Sequence, residues 1–234
     1  TFVFALFCLQ PCRAAEQYTL RSKRTPGAVD RVEMLLEVGG HLKVDEDTKK
    51  VKDLKMSVVG TLNYWEKTLQ FAPGSRGTRR AARYYDEASA VIKVEDTGIK
   101  PQLRDDRRLI ALQAKDAEAT LFSPEGLLTR EELDLLDVLG NSLVVDRLLP
   151  SRPVAPGATW QHDETTMAAL LGLDEVTACE VESVFDERTE RGAKMKLEGS
   201  LRGTRNGAET SLAVKAKYRF DDRHGRIAWL GLLV

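Results

Sequence analysis

The chain has no excess of either charge. Thirty-five Lys and Arg stand against 36 Asp and Glu, for a formal net charge of −1, which argues against a general affinity for nucleic acid or anionic membrane. Cysteine is scarce, at three in 234 residues. A chain this long buries roughly 70–75% of its unfolded surface and needs neither disulfides nor metal to hold a core. Low-complexity tracts, a collagen period and a sustained heptad are absent. No apolar run approaches the roughly 20 residues of a membrane span, so no transmembrane segment is expected. What remains, 42% hydrophobic and 30% charged, is an ordinary globular composition. One domain fits better than two, and the only candidate division is the Pro-rich stretch 150–157.

The longest apolar run opens the chain, Phe2 to Leu9, and reads as the h-region of a secretory signal peptide. Cleavage after Ala14 would place the small residues Cys12 and Ala14 at the two positions a signal peptidase reads. Residues 1–14 are therefore expected to be a signal remnant, residues 15–234 one exported domain, and the location periplasmic or secreted. Removing Cys8 and Cys12 leaves Cys179 alone and no intramolecular disulfide. In its strand pattern Cys179 reads as a small buried hydrophobe.

Most of the remaining chain alternates with period two, the mark of half-buried strands. Val32, Met34, Leu36 and Val38 form one series. Leu54, Met56, Val58, Leu62 and Tyr64 form another, with Gly60 as a candidate bulge. Ala88, Ala90, Ile92 and Val94 make a third, and extending their phase backward turns Tyr84 inward. Ile110, Leu112 and Ala114 begin a fourth. Gly39-Gly40 reads as a bend before His41.

Near the C-terminus, Met195, Leu197 and Leu201 precede Asn206-Gly207, and Leu212, Val214, Ala216, Tyr218 and Phe220 follow it. Asn-Gly favours a two-residue type I′ hairpin because both turn residues need positive φ. Centring the turn there predicts Leu201 opposite Leu212, Leu197 opposite Ala216, Met195 opposite Tyr218, and Glu198 opposite Lys215. Residues 175–234 then form a four-stranded antiparallel meander.

Helix is confined to the middle. Thr129-Arg-Glu-Glu132 is a capping box with Leu128 and Leu133 as its staple. Leu136, Leu139, Leu143 and Val144 follow at helical spacing, with Gly140-Asn141 as a breaking point. A second short helix starts near Asp163, carries Met167, Leu170 and Leu171, and ends at Gly172. The expected fold is α+β, mainly β: a large curved antiparallel sheet, open or a half-barrel, with a helical insert at about 129–172 covering one face.

Chemical motifs are few. His41, His162 and His224 lie in separate contexts with no metal-ligand spacing, so no metal or cofactor is expected. No nucleophile elbow, Ser-x-x-Lys, Cys–His pairing or phosphate loop is present, so no catalytic residue is assigned and an enzyme is not favoured. A hydrolase would need His162 or His41 to meet carboxylates in a cleft. The densest charge feature, Arg76, Arg79, Arg80 and Arg83, reads as a strand entry with alternate side chains in solvent, or as a patch docking an envelope partner. The Leu-rich insert is the strongest functional hint. An apolar small molecule or lipid held between curved sheet and helices would contact Leu136, Leu139, Leu143, Met167 and Leu170. The competing reading is that the insert completes the core.

Leu148-Leu149-Pro150, Pro153-Val154, Gly157 and Trp160, with the Phe220-Asp221 to Gly225-Arg226-Ile227 turn, resemble segments of uncharacterised exported β-proteins of planctomycete-type bacteria. The resemblance implies a fold like the half-barrels that carry lipoproteins through the periplasm. It implies no site residue, and a shared fold does not license a shared activity.

Overall fold

A computed structural model of the chain describes residues 16–47, 50–72 and 77–234. The signal-remnant expectation for residues 1–14, with Cys8 and Cys12, lies outside the described residues. The fold is α+β and mainly β, and its antiparallel sheets are open. The strands divide into two sheets rather than forming one, in keeping with the tendency of very wide sheets to curl or split.

The first sheet holds β1 (Val29–Asp47), β2 (Lys50–Phe71) and β3 (Arg79–Val94), then β5 (Leu109–Lys115) and β6 (Glu118–Phe122), with the short β4 (Thr97–Ile99) added to β3. The helices follow as α1 (Arg130–Leu136), α2 (Ser142–Val145) and α3 (Glu164–Leu171), with β7 (Thr159–Gln161) between the last two. The second sheet is β7 beside β8 (Glu175–Thr189), β9 (Gly192–Arg205), β10 (Ala208–Asp221) and β11 (Arg226–Leu233).

The second sheet follows the expected register. Leu201 faces Leu212, Leu197 faces Ala216, Met195 faces Tyr218 and Glu198 faces Lys215. Asn206 and Gly207 both adopt positive φ, 52° and 75°, as the tight turn demands. The helices also start where their caps lie. Thr129 and Glu132 form the reciprocal capping box of α1, Asp163 caps α3, and Gly172 ends it with φ 62°.

Two features of the first sheet depart from the sequence reading. β1 runs unbroken through Gly39-Gly40, so there is no bend before His41. Gly60 keeps regular register, opposite Leu36 on one side and Ala90 on the other. The bulges in the β2–β3 pairing fall at Asn63/Tyr64 and Thr68/Gln70 instead.

The larger core packs α2, α3 and the second sheet around Leu143, Leu148, Met167, Phe185 and Tyr218. The first sheet contributes Ala81, Leu112 and Ala114 to it. A smaller core sets Leu135 and Leu136 of α1 against Leu62, Tyr64, Tyr85 and Ile110. The N-terminal segment ties the sheets together: Tyr18 bridges to Val154, the Lys23 amide donates to the Gly225 carbonyl, and the Gly27 amide donates to the Thr68 carbonyl.

Candidate functional site

Three arrangements have functional interest, two of them buried. The first lies where the N-terminal segment, the first sheet and the helical insert meet. Glu66 Oε1 accepts from Arg24 Nη1 at 2.9 Å, and its Oε2 accepts from Arg83 Nε at 2.8 Å and Ser142 Oγ at 2.6 Å. With its hydrogen committed to Glu66, Ser142 Oγ accepts from Tyr64 Oη at 3.1 Å and Arg83 Nη2 at 3.0 Å. Arg83 also reaches Asn141 Oδ1 at 2.6 Å and lies over the Tyr64 ring. Asp146 takes Ser22 Oγ, Arg24 Nε and the Ile227 amide, so Arg24 bridges both carboxylates. Burial alone would raise the Glu66 carboxyl, but the Arg83 and Arg24 charges and the Ser142 hydrogen bond outweigh it and hold it below the usual carboxylate range. Burial pushes the Tyr64 hydroxyl up to about 12. Each of these charges has a partner, so the cluster is a polar joint between the sheets rather than an open reaction centre.

The second arrangement is in the larger core. His162 Nε2 lies 2.7 Å from Ser183 Oγ, and Tyr218 Oη donates to the same oxygen at 2.7 Å. Ser183 then donates to an unprotonated imidazole. Desolvation depresses the His162 imidazole to about 4, against a weak opposing pull from Asp163. A Ser–His contact invites comparison with a nucleophilic pair. Here Ser183 is wholly buried in a strand, and among the described residues no carboxylate hydrogen-bonds to His162. The other histidines are exposed: His41 pairs with Asp53 on the β1–β2 ribbon, and His224 pairs with Asp221 in a turn. Among the described residues no group of His, Cys, Asp and Glu is placed to hold a metal ion. Cys179 is half-buried, with its thiol raised by desolvation.

The residues expected to line an apolar cavity sit in packed interior. Leu136, Leu143, Met167 and Leu170 are buried, and Leu139 is half-buried beside Gly172. The space between α1 and the first sheet, lined in part by Leu62, Tyr64 and Leu136, amounts to about 10 Å³, room for about one water at most. A larger hollow of about 170 Å³ opens to solvent beside Tyr85, Gln102 and Arg108.

The arginine cluster does not form one surface patch. Arg76 lies outside the described residues. Arg79 and Arg83 point inward and are buried, with Arg79 donating to the Leu143 carbonyl, whereas Arg80 is exposed and bonds Gln113. Tyr84 is likewise outside and Tyr85 inside, the reverse of the sequence expectation. The bulge explains both. Tyr64 faces Tyr85 and Asn63 faces Glu87, so Asp86 is the extra residue of β3. One inserted residue flips the phase of the strand before it.

The third arrangement is an apolar extension of the first sheet. The inner face of the first sheet continues past the helical insert as Leu36, Val38, Leu42 and Val44 on β1, Leu54, Met56 and Val58 on β2, and Ile92 and Val94 on β3. These side chains are half-buried or exposed. Only β2 residues from Met56 onward pair with β3, so the tip of the β1–β2 hairpin projects as a two-stranded ribbon. The signal was present, because the even-numbered alternation that begins at Val32 resumes at Leu42 and Val44 beyond the glycines.

No family model matches the chain, and neither a curated protein nor a solved structure matches it. By fold and geometry it is an open two-sheet α+β protein, with charged and histidine clusters sealed inside and an apolar sheet end that nothing covers among the described residues.

Proposed function

We propose that the protein is a non-enzymatic interaction module that buries the uncovered apolar end of its first sheet against another protein. The observation that carries this reading is the continuous apolar face of Leu36, Val38, Leu42, Leu54 and Met56, which no element of the chain covers among the described residues, with Val58 and Ile92 at its inner margin packed against the smaller core. Contiguous exposed apolar surface of this kind marks an interaction site. An apolar small molecule or lipid is the competing occupant. Small-molecule sites enclose most of their ligand in a concave pocket, and the space between α1 and the first sheet is about 10 Å³. A broad, open sheet face suits a protein surface better.

The test is a photo-cross-linking residue in place of Met56, with a second placed at exposed Lys217 on β10 as control. Protein adducts in producing cells are expected at position 56 and not at 217. Lipid adducts at 56 would replace the protein partner with an acyl ligand, and no adduct at 56 would overturn both readings.

The same proposal places the protein outside the cytoplasm, supported by the apolar run at 2–9, the small residues Cys12 and Ala14, and the resemblance to exported β-proteins. Recovery of a chain beginning at Ala15 from the periplasmic or secreted fraction is the expected result. A chain retaining residues 2–9 and confined to the cytosol would overturn it.

A further inference from the structure

β1 is the terminal strand of the first sheet. Its 19 residues pair with β2 on one side and, among the described residues, with no strand on the other. The other terminal strands are much shorter: β6 has five residues, β7 three and β11 eight. A long free edge is a template for another strand, and proteins commonly blunt such edges with proline, bulges or a covering element. β1 has no proline, and its one register irregularity lies at its far end, between Asp45 and Asp47. It also exposes large apolar side chains: Leu35 is 66% accessible, Leu42 43% and Val38 41%.

We propose that two copies of the chain pair edge to edge along β1, antiparallel about a two-fold axis at Val38, so that their first sheets merge. The proposal goes beyond the interaction-module reading: it concerns the free edge of the first sheet and leaves the apolar face open to the partner of that reading. Its basis is self-complementarity in the strand. Counting outward from Val38 in both copies sets Leu36 against Gly40, Met34 against Leu42 and Val32 against Val44 on the apolar face. On the opposite face Leu35 meets His41, and Glu33 meets Lys43 twice, once on each side of the axis. Glu33 and Lys43 are both exposed and have no ion-pair partner of their own among the described residues.

Neighbouring registers are worse. Moving the axis to Glu37 opposes Glu37 to Glu37 and Arg31 to Lys43, and like charges directly opposite are destabilising. Moving it to Gly39 sets Lys43 against Leu35. A register in which no residue faces its own copy would set the apolar face of one strand against the polar face of the other, with Val32 opposite Lys43 and Met34 opposite His41 when Glu37 faces Val38. The Val38 register gives a ladder from Val32 to Val44, roughly 40 Å long at about 3.4 Å per residue. An isologous contact of this kind closes as a dimer and does not propagate.

Sedimentation equilibrium of the purified full chain is expected to show a reversible monomer–dimer equilibrium. Lys43→Glu and Glu33→Lys, both at exposed positions, are each expected to weaken the dimer about tenfold, because each reverses two cross-strand pairs. The charge-swapped double variant is expected to return to within about threefold of the parent. Val38→Cys is expected to form a disulfide-linked dimer under mild oxidation, above the background of the parent chain, and Gly39→Cys is not. A parent chain monomeric at every concentration, or a Lys43→Glu dimer as tight as the parent, would overturn the pairing. Protein adducts at position 56 with a monomeric purified chain would remove self-pairing and leave the interaction module standing. No adduct and no dimer would remove both.

Discussion

Glu66 and Arg83 stand opposite each other on the β2–β3 ladder, and Arg83 Nε donates to Glu66 Oε2 across 2.8 Å with side chains 0% and 5% exposed. The pair is tied by Arg24 to Asp146 and by Ser142 to the helical insert. It therefore couples the first sheet to everything that packs on it.

Removing one charge from this joint should cost far more than removing a pair. Glu66→Gln leaves Arg83 buried without a counter-charge and is expected to destabilise the fold by about 3–5 kcal/mol. Combining it with Arg83→Met should recover much of that loss, because Arg24 retains Asp146. Urea denaturation of the two single variants and the double variant measures the coupling; additive losses would show that the two side chains act independently.

Acid should weaken the fold through His162. An unfolded imidazole titrates near 6.5, whereas burial holds the folded one down to about 4. Above 6.5 both states are neutral and this group contributes no pH dependence. As pH falls from 6.5 toward 4 the unfolded chain takes up the proton first, so stability declines, and the decline from this group ends once the folded state is protonated too. His162→Gln should flatten that part of the stability profile. An unchanged slope between pH 6.5 and 4 would show that His162 is not held neutral.

Charge reversal should separate the adjacent arginines. Arg80 is exposed, and Arg80→Glu is expected to change stability by no more than about 0.5 kcal/mol. Arg79 is buried, and its guanidinium is pushed down to about 10 by desolvation. Arg79→Glu would bury a carboxylate beside the Leu143 carbonyl and is expected to cost at least about 3 kcal/mol. Thermal unfolding of both variants checks it; equal losses would contradict the phase of β3.

Gly203 permits a close approach of strands. A Cβ there would stand 2.1 Å from the Glu175 carbonyl oxygen, beside the β8–β9 bulge between Val176 and Ala178. Gly203→Ala is expected to destabilise by about 2–3 kcal/mol. Gly39→Ala on β1, where nothing lies within 4 Å, is the control and should lose much less.

Local signals carried furthest where they were close in sequence. The register of β9 and β10 followed from Asn206-Gly207 because a two-residue turn fixes every pair beyond it. The start of α1 and both limits of α3 followed from Thr129, Glu132, Asp163 and Gly172, because capping is an interaction over three or four residues; α1 itself stops at Leu136, short of the expected break at Gly140-Asn141. The phase of β3 did not follow. Asp86 looks like any other strand residue, and only its pairing against β2 makes it the extra one. The division into two sheets and the packed state of Leu143, Met167 and Leu170 likewise depend on how distant segments meet.

From sequence alone came the mainly β class, the C-terminal meander, the central position of the helices and the lack of metal or nucleophile motifs. These rest on alternation, turn chemistry and residue spacing, which act over a few residues. Tertiary structure decided that Arg24, Glu66, Arg83 and Asp146 share one buried joint, that Ser183 meets His162 inside the core, and that among the described residues nothing covers the apolar end of the first sheet. Burial and ion pairing join residues far apart in the chain, and local sequence carries no record of which distant segment will arrive.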